Sequence, residues 1–275
     1  MDLGLKDRTV IVTGASGGIG RGLVLGFAAE GARVVLASRD EAKCKEVAAA
    51  AADLPGETLV VATDITNADS VRELAEVTHR SFGELDVLVN NAGGVAYPRA
   101  FLDKPDDEIE WELALNVHGV LHTCRQLGRA MVERGEGSIV NITSNSALLA
   151  EAGNMVANYA GTKGYVMAFS KALAYEWGPR GVRVNCVSPG WIVPWEKGHV
   201  GSGSFWEKYG WEFFGTPDEM ARQAEAGDLF NASHQPIKRI GRPEDIAAMT
   251  LFLCSPLAAH ITGQLVSVSG GAYMP

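Results

Sequence analysis

Tyr159 and Lys163 are the residues of this chain best suited to moving a proton. They stand four positions apart in the helix-like stretch Val156–Gly178. Side chains at i and i+4 share one face of a helix. Of the six tyrosines, only Tyr159 has a lysine four positions on. A free phenol titrates near ~10, too high for efficient proton exchange at neutral pH. A nearby ammonium favours the phenolate and lowers that value. The spacing alone fits either a tuned proton donor or an ordinary pair on a helix surface.

A second chemical feature lies near the start. Thr9-Val10-Ile11-Val12-Thr13 runs into Gly14-Ala15-Ser16-Gly17-Gly18-Ile19-Gly20 and then a helical stretch. A phosphate cradle needs this strand–turn–helix context. Gly14 allows a tight turn, Gly18 admits a pyrophosphate against the backbone, and Gly20 lets the helix approach the strand. The helix N-terminus offers free amides and a positive dipole end, and Ser16 adds a hydroxyl. The spacing is GxxxGxG, and a lone glycine-rich loop is a competing reading. Its place in the first βαβ unit favours a dinucleotide, with Gly14, Ser16, Gly18, Ile19 and Gly20 as contacts. The next apolar run ends Ser38-Arg39-Asp40. An acid at that tip would meet the ribose of NAD. Ser38 does not repel a 2′-phosphate and Arg39 can pair with one, so NADP is favoured and NAD is the alternative. Arg39 as a solvated surface charge stays open.

The elements that must position these residues alternate regularly. Strand-like apolar runs occur at Thr9–Thr13, Arg33–Ser38, Thr58–Asp64, Asp86–Asn90, Ser138–Thr143, Arg183–Ser188 and Leu265–Ser269. Helix-like stretches lie between them, at Gly18–Glu30, Glu41–Ala52, Ala68–Phe82, Asp107–Glu133, Val156–Gly178 and Pro243–Cys254. Near-continuous Val, Ile and Leu runs suit strands buried on both faces. The expected fold is α/β: a single-domain, Rossmann-type, doubly wound parallel sheet of about seven strands with helices on both faces. The 275 residues suffice for it. A net charge of −9 argues against nucleic acid. No apolar run is long enough for a membrane span, and residues 1–7 do not resemble a signal peptide. Cys44, Cys124, Cys186 and Cys254 form no CxxC pair and read as reduced thiols, which implies a cytoplasmic protein. His118, His122, His199 and His234 lack ligand-like spacing, so no metal is expected.

Together these pieces resemble the short-chain dehydrogenase/reductase family over essentially the whole chain. The matching segments are Thr13–Gly20, Asn90-Asn91-Ala92-Gly93, Asn116, Ser144 after Asn141-Ile142-Thr143, Tyr159-Ala160-Gly161-Thr162-Lys163, and Pro189-Gly190. The resemblance implies catalytic roles for Asn116, Ser144, Tyr159 and Lys163. Tyr159 would act as general acid/base in interconverting a secondary alcohol and a ketone, beside a cofactor carrying the hydride. Ser144 would hydrogen-bond the substrate oxygen, and Asn116 would hold a water next to Lys163. The family usually places this serine thirteen residues before the tyrosine, where this chain has Ser146. Ser144 is preferred because the preceding strand sets its register and the loop through Glu151–Asn154 can absorb two residues, and Ser146 is the alternative. The resemblance also assigns cofactor contacts to Asp64, Ile65, Asn91, Ala92, Gly93, Tyr159, Lys163, Pro189, Gly190 and Ile192. Pro194 stands where the family commonly has a threonine.

The stretch from Trp191 to Arg242 breaks the strand–helix rhythm and reads as a substrate lid. It carries Trp191, Trp195, Phe205, Trp206, Tyr209, Trp211, Phe213 and Phe214. Such rings suit an apolar or cyclic substrate, or else pack the lid itself. Pro98, Arg99 and Phe101 are expected to extend the pocket wall. Alternatives are an NAD-dependent sugar, steroid or dihydrodiol dehydrogenase and, on the same fold, a non-catalytic dinucleotide sensor. Enoyl reduction is disfavoured, because that branch spaces its tyrosine and lysine more widely. The resemblance further implies a homotetramer, or a dimer, built on the faces of Asp107–Glu133 and Val156–Gly178.

Overall fold

A computed structural model describes residues 2–149, 155–194, 196–226, 228 and 235–274. Trp195, His234 and the loop Glu151–Asn154 therefore lie outside the described residues, as do the side chains of Phe213 and Phe214.

In chain order the elements are β1 (Thr9–Thr13), α1 (Gly18–Ala29), β2 (Arg33–Ser38), α2 (Glu41–Ala50), β3 (Glu57–Ala62), α3 (Ala68–Phe82) and β4 (Val87–Asn90). Then follow α4 (Asp106–Leu113), α5 (Gly119–Arg134), β5 (Gly137–Ile142), α6 (Ala157–Trp177) and β6 (Val182–Pro189). The chain ends through α7 (Trp211–Phe214), α8 (Pro217–Ala226), α9 (Pro243–Cys254) and β7 (Leu265–Val268). The seven strands form one sheet in the order β3-β2-β1-β4-β5-β6-β7. Every pairing is parallel.

Side chains alternate across each strand, so both faces must be covered. Val10, Val12, Val34, Leu36 and Val140 face α1, α2 and α9 through Leu23, Phe27, Val47, Ile246 and Leu251. Ile11, Val35, Leu88, Ile139 and Val184 face α3, α5 and α6 through Leu74, Leu127, Met131, Val166 and Leu173. This is the doubly wound arrangement expected, with strand boundaries shifted by one or two residues.

One helix departs from expectation. The stretch expected as continuous over Asp107–Glu133 is α4 and α5 separated by a π-helical turn, Ala114–His118. A π turn widens the backbone for one turn and re-aims a side chain. Here it carries Asn116, which is fully buried.

A polar seam crosses the core where β4 and β5 pair at Asn90 and Asn141. Asn90 Nδ2 donates to Asn141 Oδ1 at 2.8 Å, and Thr123 Oγ1 donates to Asn90 Oδ1 at 2.7 Å. Asn141 Nδ2 donates to Ser170 Oγ at 2.7 Å. The seam locks α5 and α6 to the strands, directly beneath the end of β5. An unsatisfied buried polar group costs about 1–3 kcal/mol. Asn141→Ala is therefore expected to lose about 2–4 kcal/mol in urea unfolding. A loss below about 1 kcal/mol would show that the seam does not hold these layers.

Candidate active site

The candidate residues gather at the carboxyl ends of the strands, where β1 and β4 lie side by side and the chain direction across the sheet reverses. Such a switch point opens a crevice in parallel α/β sheets. A cavity of about 760 Å³ lies there. Gly14, Ser16, Gly18, Ile19, Gly20, Ser38, Arg39, Asp64, Ile65, Asn91, Ala92, Gly93, Tyr159, Lys163, Pro189, Gly190 and Ile192 all line it. Ser144 lines it as well, whereas Asn116 sits behind its wall.

The glycine-rich turn is built to leave backbone bare. Gly14 has φ +64°, and a Cβ there would lie 2.8 Å from Ala92 Cα. Gly18 has φ +54° and open space where a side chain would stand, so its backbone faces the cavity. A side chain at Gly20 would collide with the Gly14 carbonyl. The turn is strapped to β4: Thr13 Oγ1 accepts the amides of Asn91 and Ala92, both at 3.0 Å. Asn91 Nδ2 donates back to Thr13 O at 2.9 Å and to Gly14 O at 3.1 Å. Gly17 caps α1 without a side chain, which leaves first-turn amides free for an anion. Ser38 Oγ donates to Ser16 Oγ at 3.2 Å, and Arg39 is exposed beside them at the cavity edge. Bare backbone, helix amides and a flanking arginine fit the phosphates of a nicotinamide dinucleotide.

At the other end, Tyr159 and Lys163 face the cavity from the first turns of α6. Lys163 is buried, and its Nζ lies 5.8 Å from the Tyr159 ring centre. Nζ donates to Ile142 O, at the end of β5, at 3.0 Å. Burial pushes this ammonium down to about 8. A Cβ on Gly93 would lie 2.8 Å from that nitrogen and 2.9 Å from Asn116 Oδ1. The Asn116 amide is committed to the backbone of Gly94, accepting from its N–H at 2.9 Å and donating to its carbonyl at 2.8 Å.

Ser144 and Ser146 separate by position. The Ser144 hydroxyl pairs with the Tyr159 phenol and donates to Ser146 Oγ at 3.2 Å. Ser146 lines only the adjoining cavity described next. Burial pushes the Tyr159 phenol up, opposed by Ser144 and reinforced by the negative charge of Glu112. The net direction is therefore opposite to the lowering expected from Lys163, and desolvation of the phenolate is its largest cause.

An adjoining cavity of about 240 Å³ has largely apolar walls, including Val95, Pro98, Leu149, Val156, Trp191, Phe205, Trp206 and Ala272. Pro98 lies in that wall as expected, but Phe101 is 59% exposed and Arg99 turns away onto Glu108. Trp206 also packs with Trp191 and Trp211 around Val193, Met220 and Ile240, so the aromatic segment both lines a cavity and carries a small core of its own. Pro194 lines the large cavity.

Sequence reasoning missed the run Gly201-Ser202-Gly203-Ser204, which lies over the large cavity. Lys43 Nζ donates to the carbonyls of Gly198 and Val200, at 3.3 and 3.2 Å, and the Ser202 hydroxyl donates to Asp40. The alternation of glycine and serine was the available signal. Among the described residues no three acidic, histidine or cysteine side chains converge as metal ligands, and no helix is long and apolar enough to cross a membrane.

The charge state of Lys163 is directly testable. With lysine ¹³C-labelled, its Cε resonance should titrate with a midpoint near 8. A midpoint at the ordinary value near ~10.4 would mean the ammonium is solvated.

Comparison with known proteins agrees with this geometry. The family model for "short chain dehydrogenase" matches residues 8–195, and that for "Enoyl-(Acyl carrier protein) reductase" matches residues 215–273, beyond Ser144, Tyr159 and Lys163. Galactitol 2-dehydrogenase (L-tagatose-forming) of Cereibacter sphaeroides is 33% identical, over 97% of this chain and 95% of that protein. L-fucose dehydrogenase of Bos taurus is 36% identical, over 96% and 89%. A solved structure of 7 alpha-hydroxysteroid dehydrogenase complexed with NADH and 7-oxo glycochenodeoxycholic acid superposes with TM-score 0.83 at 31% identity, covering 98% of this chain and 96% of that one. With its parallel sheet, its glycine-rich turn and its Tyr159–Lys163 pair, the chain belongs to the short-chain dehydrogenase/reductase family, NAD(P)-dependent oxidoreductases acting on CH–OH groups.

Proposed function

We propose that the protein interconverts a secondary alcohol and its ketone on a cyclic or largely apolar substrate, with Tyr159 as general acid/base. The observation that carries this reading is a shared wall. Ser144, Tyr159, Pro189, Gly190, Ile192 and Trp206 line both the dinucleotide cradle and the apolar cavity. A substrate carbon held there would lie between the residues that would hold the nicotinamide and the Tyr159 phenol.

When bound, the nicotinamide supplies a hydride to the ketone carbon or takes one from the alcohol carbon. Tyr159 Oη gives its proton to the ketone oxygen in reduction and takes the hydroxyl proton in oxidation. Ser144 donates a hydrogen bond to that oxygen and stabilises the charge developing on it. Lys163, held at Ile142, is mostly cationic at pH 7 and favours the phenolate during transfer. Of the stretch 191–242 expected as a lid, Ile192 and Trp206 line both cavities, Trp191 and Phe205 the apolar one, which supports that role. Arg39, with Ser16 and Ser38, supports NADP over NAD. The named sugar and sugar-alcohol dehydrogenases support a second substrate class, polyhydroxylated rings or chains, for which Ser144, Asn145 and Ser146 supply a polar edge. Tyr165 and Tyr175, exposed on α6, support a homotetramer or dimer.

Tyr159→Phe should lower turnover by about 10²–10⁴-fold while leaving cofactor affinity within a few fold. A panel of cyclohexanol, galactitol and a 7-hydroxysteroid, followed by absorbance of the reduced nicotinamide, tests this. Activity within a few fold of wild type would sink the proton-transfer assignment. Arg39→Ala should weaken NADP binding by about tenfold or more, with little change for NAD. Equal losses for both would remove the preference for NADP.

A further inference from the structure

A buried charged cluster lies beside the site and has no part in the mechanism above. Glu112, on α4, is completely buried. One carboxylate oxygen accepts from Lys104 Nζ at 3.1 Å and from the Ala96 amide at 2.8 Å. The other accepts from Asn158 Nδ2 at 2.7 Å. Asn158 is the residue before Tyr159 in the first turn of α6, and its Nδ2 also lies 3.4 Å from Ile109 O. Lys104 is itself buried, 3.6 Å from Glu108, which pairs with Arg99 at 2.9 Å. One carboxylate thus joins the loop after β4, helix α4 and the turn that presents the phenol.

Stability alone is a poor reason for such a group. Removing two charges from water costs about as much as their attraction returns, and an apolar contact of equal volume serves as well. A charge placed against a reacting group has a functional use that an apolar contact lacks. We propose that Glu112 is a positioning residue for Tyr159: through Asn158 it fixes the first turn of α6 and so aims the phenol at the substrate oxygen. The inference rests on Tyr159 being the proton-transfer group.

Its charge has a consequence of its own. Glu112 on α4 and Lys163 on α6 act on the phenol with opposite signs, and Ser144, after β5, contributes a hydrogen bond. Lys104 and Arg99 on the loop, with Glu108 on α4, lie one layer further out. Cys186, on β6, is held neutral by burial, its thiol pushed up to about 11. Neutralising Glu112 therefore eases loss of the phenol proton, and neutralising Lys104 opposes it.

The test uses the full-length enzyme with NADP⁺ and whichever of cyclohexanol, galactitol and a 7-hydroxysteroid is oxidised fastest. A second readout is the Tyr159 Cζ resonance in ¹³C-tyrosine protein without cofactor. Glu112→Gln should lower kcat about tenfold and move both the acid limb of the oxidation profile and the Cζ midpoint to lower pH. Lys104→Met should move both to higher pH. Asn158→Ala should lower kcat with the limb in place. If Glu112→Gln does not fold, the double variant Glu112→Gln/Lys104→Met removes the pair together, and it should fold yet keep the tenfold loss. A folded single or double variant with wild-type kcat, limb and midpoint would overturn the inference. If Tyr159→Phe is inactive while the Glu112 variants behave as wild type, only this inference falls. If Tyr159→Phe is active, the underlying assignment falls with it.

Discussion

The burial of the Lys163 ammonium is the constraint around which the rest of the site is arranged. A charge removed from water is tolerated only with partners at fixed distances. Lys163 has the Ile142 carbonyl at 3.0 Å, at the end of a central strand. Reaching it requires α6, which packs on β6, to extend side chains to the neighbouring β5, and the seam of Asn90, Asn141 and Ser170 holds α6 there. It also requires Gly93, since any side chain at that position would stand 2.8 Å from the nitrogen. The π turn meets the same demand from the other side, bringing Asn116 Oδ1 close to the same point while its amide grips Gly94. Four separate elements therefore converge near one nitrogen.

This convergence explains what was legible beforehand. Strand order and helix faces follow from period-two and period-3.6 apolar patterns, which are local and read directly. Gly14, Gly18 and Gly20 were legible because their glycines answer a backbone requirement within seven residues. The seventeen cofactor candidates surround one cavity because most follow strand ends whose register is set by that same local pattern, with Gly18, Ile19 and Gly20 opening α1 and Tyr159 and Lys163 on α6.

What escaped notice was non-local. Nothing in the spacing of Glu112, Lys104 and Asn158 marks them as partners, since 46 residues separate Asn158 from Glu112. The π turn was invisible because nothing local in Ala114–His118 marks a wider turn, and the partner of its Asn116, Gly94, lies 22 residues away. The direction in which the Tyr159 phenol shifts is not legible in the sequence for a related reason. Sequence shows which charges are near in the chain, whereas desolvation depends on everything that covers the group in space.

The glycine-rich turn also serves a second neighbour. A Cβ on Gly17 would lie 2.5 Å from Gly201 N and 2.6 Å from the Val200 carbonyl carbon, so the segment over the cavity rests on bare backbone here as well. The same segment takes hydrogen bonds from Lys43 and gives one to Asp40, the N-cap of α2. Asp40 is the first acid after the tip of β2, and its carboxylate is occupied by the Lys43 amide and by Ser202. Both bonds hold it low, so it is ionised, yet it is turned to capping a helix and anchoring the covering segment. Ser16, Ser38, Arg39 and the exposed Glu41 then set the polarity at the cavity edge. The preference for a 2′-phosphate proposed above therefore depends on the covering segment as well as on Arg39, because releasing Ser202 would free a carboxylate beside the place where the phosphate would sit.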